Sequence, residues 1–186
     1  GILTQIHITD RDNILCVLPL HHAYASTAGV FSALAAGGTV TFSPSLRGQD
    51  ITRIMQQTGV TILPGVPKIF TLLLEGIQSR VRASGTGTRF LFRVMRGLSG
   101  AVRRRTGVRL GRILFRQVHR KFGPRFRFCV SGGAKLSADV SDGLLDLGVL
   151  ILQGYGLTET SPVISFTPLN RPKPGSVGKP LPNVSV

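Results

Sequence analysis

Short β-branched apolar runs alternate along this chain with longer amphipathic or small-residue stretches, and that alternation constrains the fold more than any other feature. Parallel strands joined by crossover helices read this way, because a buried strand is a short continuous apolar run while its covering helix is apolar on one side only. NILCVLP (13–19), TVTFS (39–43) and VTILPG (60–65) are the first predicted strands. Between them, 24–36 offers Tyr24, Ala28, Phe31 and Ala35 at helical spacing before Gly37 and Gly38 stop it, and 49–58 suits a helix ending at Gly59. Pro67 to about Glu75 reads as a helix with proline in its first turn. Further on, RFCVSGG (127–133) and VLILQGYG (149–156) read as strands running into glycine turns, with a capped helix from Ser137 to Leu147 between them. The fold class expected is α/β, with mostly parallel sheets and crossover helices. Six of the eleven prolines fall in 162–186, which forbids a helix there and predicts loops joining short strands of a different layer, the start of a further β subdomain.

The 186 residues carry 23 Lys and Arg against 8 Asp and Glu, a formal charge of +15. Residues 76–138 hold 16 of the basic residues and no acid, so the remainder sums to 7 minus 8, or −1. A cationic segment inside a neutral domain argues against a nucleic-acid-binding protein, as do the presence of only two tyrosines and the absence of a nucleic-acid module. Within the segment, Leu91, Val94, Met95, Leu98 and Val102 share a helical face. Leu110, Ile113, Leu114 and Val118 do the same beside Arg109, Arg112, Arg116 and Arg120, predicted to form a continuous cationic stripe. Two amphipathic helices are expected, whose apolar faces could seat on the domain or dip into an anionic membrane surface.

Cys16 and Cys129 form no CxxC or Cys/His cluster, which argues against a disulfide framework or a zinc site. No apolar run approaches the roughly 18 residues that span a bilayer, and no signal peptide is visible, so a cytoplasmic or peripherally attached protein is expected. The chain starts at Gly1 and stops within the strand-like run Asn183-Val184-Ser185-Val186, which predicts an excerpt of a longer protein, a partial domain over 1–186.

The chemistry concentrates in two glycine turns, SGGAKL (131–136) and QGYGLTET (153–160), set about 20 residues apart with a helix between them. In a parallel sheet both reach the same carboxyl edge, where open α/β sheets bind ligands. There is no GxxxxGK[ST], and Gly154-x-Gly156 lacks the third glycine of a dinucleotide fingerprint. Gly154 and Gly156 admit close approach of the backbone, Tyr155 offers a flat ring for a base, Thr158 a hydroxyl for a phosphate oxygen, and Glu159 a hard carboxylate for magnesium. The same residues also read as a strand end with a turn, Thr158 capping and Glu159 meeting a helix dipole. His22, after the first strand, reads from position alone as a structural histidine, with neighbouring His21 pointing elsewhere if the segment is extended. His7 and His119 carry no motif.

LPLHHAYA (18–25), SGGAKL, QGYGLTETSP (153–162) and PGSVGKPLPNVSV (174–186), in this order over nearly the whole chain, resemble the adenylate-forming superfamily, and the arginine-rich stretch before SGGAKL is most similar to its long-chain fatty acid-CoA ligase branch. The resemblance implies an excerpt of the large N-terminal domain of an acid-thiol ligase. Such an enzyme uses ATP with magnesium to turn a medium- or long-chain fatty acid into an acyl-adenylate, and coenzyme A then displaces AMP. It further implies that Gly132, Gly133 and Ala134 line the adenine and acyl pocket, that Gln153, Gly154, Tyr155 and Gly156 hold the adenine, that Thr158 bonds phosphate, that Glu159 holds magnesium, and that His22 sits where the substrate carboxylate meets the α-phosphate. The phosphate loop would precede this sequence, and the ribose-binding acid, hinge and catalytic lysine would follow it, so the excerpt alone would not catalyse. Lys135 departs from the uncharged residue frequent in relatives. The rival readings are a nucleic-acid- or membrane-binding protein using the basic segment, and a non-catalytic interaction protein that kept the fold.

Overall fold

A computed structural model describes residues 6–182, 184 and 185. The first strand, β1 (Asn13–Cys16), is followed by a π-helical stretch, Ala25–Phe31, that runs on as α1 (Ser32–Ala35). Then come β2 (Thr39–Phe42), α2 (Gly48–Thr58), β3 (Ile62–Gly65), α3 (Pro67–Arg82), α4 (Thr86–Thr106), α5 (Gly111–Leu114) and α6 (Arg116–Phe122). The chain continues through β4 (Phe128–Ser131), α7 (Ala138–Asp146), β5 (Ile151–Tyr155), a 3-10 turn at Thr158–Thr160, and two short strands, β6 (Ser165–Phe166) and β7 (Lys179–Pro180).

The strands form one sheet in the order β2-β1-β3-β4-β5-β6-β7. The first five are parallel, as expected, and every residue of β1, β3 and β4 is buried because helices cover both faces. β6 and β7 pair antiparallel beyond the end of β5, so these two short strands of the proline-rich tail extend this sheet. Proline tolerates that position because short edge strands lack ladder bonds on one side. The run expected at 183–186 lies partly outside the described residues, and Val184 and Ser185 are not in a strand.

A polar clamp fixes the amino ends of three strands. Asp12, 3% exposed, accepts hydrogen bonds from Thr61 Oγ1 (2.7 Å), Thr9 N (3.0 Å) and Arg127 Nη1 (2.5 Å), tying the starts of β1, β3 and β4 together. Burial would raise the carboxyl's pKa, but these bonds and the guanidinium charge outweigh it and hold Asp12 below its ordinary value.

Four helical expectations change. The stretch after β1 is wound with the wider π repeat, Ser32 N and Oγ both reaching back to Thr27 O. Ala25, Gly29 and Ala33 therefore face inward while Phe31 is 61% exposed. α4 forms as one long helix, but only part of its expected apolar face is buried: Met95 packs half-buried on the core and Val102 is half-buried, while Leu91, Val94 and Leu98 are exposed, and so is Phe90. The side packed on α7 is small and charged. Ser99 and Gly100 let the helices approach so closely that a Cβ on Gly100 would lie 2.7 Å from Asp146 Oδ1. Arg103 there meets Asp142 (2.5 Å) and Asp146 (2.9 Å), acids that its own segment lacks. The second basic helix is broken in two at Phe115 (φ −108°, ψ 42°), whose buried ring packs edge-on against Phe92 at 5.2 Å, so the arginine stripe is not continuous. Ser137 stands at the start of α7, but its side chain makes no capping bond.

Candidate nucleotide and acyl site

A cavity of about 480 Å³ opens at the carboxyl ends of the parallel strands. The parallel register puts these ends side by side: Gly65 of β3 lies opposite Ser131 of β4, and Ser131 opposite Gln153 of β5. Chain segments leaving β1, β4 and β5 therefore converge on one opening, although they are far apart in sequence.

Of the residues singled out from the sequence, the cavity lining contains His22, Gly132, Gly133, Gly154, Tyr155, Gly156, Thr158 and Glu159. Ala134 is exposed just beyond the lining, and Gln153 is buried within β5, where its backbone exchanges bonds with Thr167. Neither lines the cavity. The segment carrying His21 and His22 turns, with His22 N bonded to Pro19 O at 3.2 Å, so the two rings lie 4.2 Å apart and do not diverge. Groups of three or more metal-ligating side chains are absent among the described residues.

The turn after β5 is held by its backbone and by Thr160, which leaves Thr158 and Glu159 to face the cavity. Thr160 Oγ1 accepts a bond from Leu157 N at 2.9 Å, so the capping expected of Thr158 is done by Thr160. Gly156 has no room for a side chain, since a Cβ there would fall 1.9 Å from Pro162 O. Tyr155 is 48% exposed and presents its ring at the cavity, while its backbone pairs with Ser165. Glu159 forms no ion pair among the described residues. One open carboxylate suits magnesium, which takes one or two protein carboxylates and draws its remaining ligands from phosphate and water.

Sequence reasoning missed two parts of this site. Tyr24, assigned to a helical face, is the floor beneath SGGAKL. Its hydroxyl donates to Val130 O at 2.9 Å, and a Cβ on Gly132 would come within 2.9 Å of its ring. Burial raises the phenol's pKa, so Tyr24 is a neutral donor. The second part is the apolar wall formed by Ile8, Leu18, Ala28, Val66, Val163 and Phe166. These residues come from five separate places in the chain and share no local pattern. Ser131 Oγ, buried at the end of β4, has no hydrogen-bond partner among the described residues.

Comparison with known sequences identifies the chain. The sequence profile of the family described as AMP-binding enzyme matches residues 2–186. The chain belongs to that family. This AMP-binding domain is 31% identical over 196 residues to the peroxisomal long chain acyl-CoA synthetase 7 of Arabidopsis thaliana, matching all of this chain and 27% of that protein. It is 28% identical to the long-chain-fatty-acid–CoA ligase FadD15 of Mycobacterium bovis, over 94% of this chain and 30% of that protein. Among solved structures, O-succinylbenzoate coenzyme A synthetase of Bacillus subtilis, in complex with ATP and magnesium ion, has the same fold, with a TM-score of 0.66 at 21% identity over 97% of this chain and 29% of that one. The AMP-binding domain described here thus spans less than a third of the length of these relatives.

Proposed function

We propose that this domain supplies part of the adenylation site of an AMP-forming acid-thiol ligase acting on a medium- or long-chain fatty acid, with ATP and coenzyme A as its other substrates. The observation that carries the reading is the convergence of His22, Tyr155, Thr158 and Glu159 on one cavity whose other wall is apolar. A carboxylate is a poor electrophile, and joining it to AMP provides a good leaving group, so the site's task is to position two anions and neutralise their charge. In this reading Tyr155 stacks on the base, Thr158 donates to a phosphate oxygen, and His22 lies at the meeting of carboxylate and α-phosphate. The glycine backbones of 132–133 and 154–156 give close approach, and the apolar wall receives the acyl chain. Glu159 would hold the magnesium ion, which supplies charge neutralisation to the phosphates. The relatives' greater length supports the further reading that other segments complete the site and that residues 1–186 alone do not catalyse. The test is fatty-acid-dependent exchange of pyrophosphate into ATP by the full-length protein. Glu159→Gln should lower exchange by orders of magnitude with the fold intact, whereas near-normal exchange would return the turn to a structural role.

We also propose an anionic membrane surface as a partner of the basic segment, holding the protein at the cytoplasmic membrane face. The support is α4, whose exposed Phe90, Leu91, Val94 and Leu98 form an outward apolar stripe in a segment with no acidic residue. Phe90→Ser with Leu98→Ser should release the protein from phosphatidylserine vesicles in co-sedimentation. Equal partitioning of variant and parent would refute it.

A further inference from the structure

The break at Phe115 that divides the arginine stripe also folds part of it around a hollow. Arg112, Arg116, His119 and Arg120 line an open cleft of about 560 Å³ together with Pro124 and Phe126. α6 leads into the amino end of β4, so this cleft lies towards the sheet edge opposite the adenylation cavity, and the two share no lining residue.

The backbone carrying these arginines is anchored from several sides. Gly111 and Gly148 approach so closely that a Cβ on Gly111 would lie 2.3 Å from Gly148 N, fixing the start of α5. His119 Nε2 donates to Leu147 O at 2.9 Å, and Gln56 Nε2 of α2 donates to Arg120 O at 2.9 Å near the end of α6. The guanidinium groups, by contrast, are exposed, and none of the three enters an ion pair among the described residues. No acid lines the cleft. Arg96, Arg103, Arg104 and Arg127 of the same segment meet carboxylates, and what sets Arg112, Arg116 and Arg120 apart is that they gather around one hollow.

We infer that this cleft is a binding site for a phosphate-bearing anion. Three cations held around one hollow repel one another, and an anion of charge near two relieves that repulsion more fully than a single carboxylate. Guanidinium forks match phosphate oxygens in pairs, and a rigid backbone beneath them lowers the ordering cost of binding. The hollow exceeds one phosphate group in size, which leaves room for the group that carries it. Two sources share this chemistry, a dissolved phosphate compound and the phosphomonoester headgroup of a lipid. The inference rests on neither the adenylation reading nor the membrane reading of α4.

The experiment compares the parent protein with Arg112→Gln/Arg116→Gln/Arg120→Gln and with a control of equal charge outside the basic segment, Arg47→Gln/Arg171→Gln/Lys173→Gln, each checked for folding by circular dichroism. One arm titrates inorganic phosphate, followed by phosphorus NMR. The other measures co-sedimentation with phosphatidylcholine vesicles with and without phosphatidic acid. Each cleft arginine lost should weaken binding about tenfold, and the control should bind like the parent. Cleft-dependent binding of phosphate alone assigns a dissolved ligand, and supports the cleft even if the membrane reading of α4 fails. Cleft-dependent binding to phosphatidic acid vesicles alone assigns the headgroup. Absence of binding in both arms, or an equal loss in the cleft variant and the control, would overturn the inference.

Discussion

Replacing Asp12 by asparagine tests whether the clamp at the amino ends of the strands is what holds their register. The substitution keeps shape and removes the charge that Arg127 faces at 2.5 Å. The asparagine amide can still direct its oxygen to Arg127 and its NH2 to Thr61, whose hydroxyl can turn to accept, so what is lost is mainly the charge assistance. A hydrogen bond to a charged group contributes about 1.5–3 kcal/mol. Arg127 is 36% exposed, so solvent screening brings the expected loss to about 1–2 kcal/mol. For a chain of this size that corresponds to a fall in melting temperature of roughly 2–8 °C. The pH dependence follows from the direction of the shift. Asp12 has a lower pKa folded than unfolded, so its contribution is complete above the ordinary carboxylate value of 3.8 and is lost as pH falls through the folded value. Urea unfolding of both proteins at neutral pH and at successively lower pH should show a gap that narrows on acidification. Equal midpoints at neutral pH, or a gap independent of pH, would refute the reasoning.

Two further outcomes concern the cavity. Tyr155→Ala should weaken ATP binding by about 1–3 kcal/mol in calorimetry while Tyr155→Phe changes it little, since the flat ring and not the hydroxyl is the stacking surface; normal ATP binding by the alanine variant would make the ring mere packing. Gly132→Ala should cost about 1–3 kcal/mol of stability, because its Cβ meets the Tyr24 ring at 2.9 Å while the Tyr24 hydroxyl is tied to Val130 O. In a Tyr24→Phe background, where that tie is gone and the ring can shift, the cost should shrink. Strict additivity of the two substitutions in denaturant melts would exclude this contact as the cause.

The alternation of apolar runs and glycine-terminated helices determined the parallel sheet, because strands buried on both faces leave an unbroken apolar signature such as 14–16 in β1 and 128–130 in β4. The glycine turns after β4 and β5 were equally legible, since backbone conformation and close approach are local demands that a few residues must meet. Tertiary structure decided which face of each helix turned inward. On α4 the periodic apolar stripe is the stronger sequence signal, yet Leu91, Val94 and Leu98 of it are exposed while Ser99, Gly100 and Arg103 pack on α7, because Arg103's partners Asp142 and Asp146 lie on a helix about 40 residues further on. The site divided the same way. Tyr155, Thr158 and Glu159 announce themselves within five residues, whereas Tyr24 under Gly132 and the apolar wall exist only once distant segments meet. Periodicity records what one element could bury, and the neighbour it meets determines what it does bury.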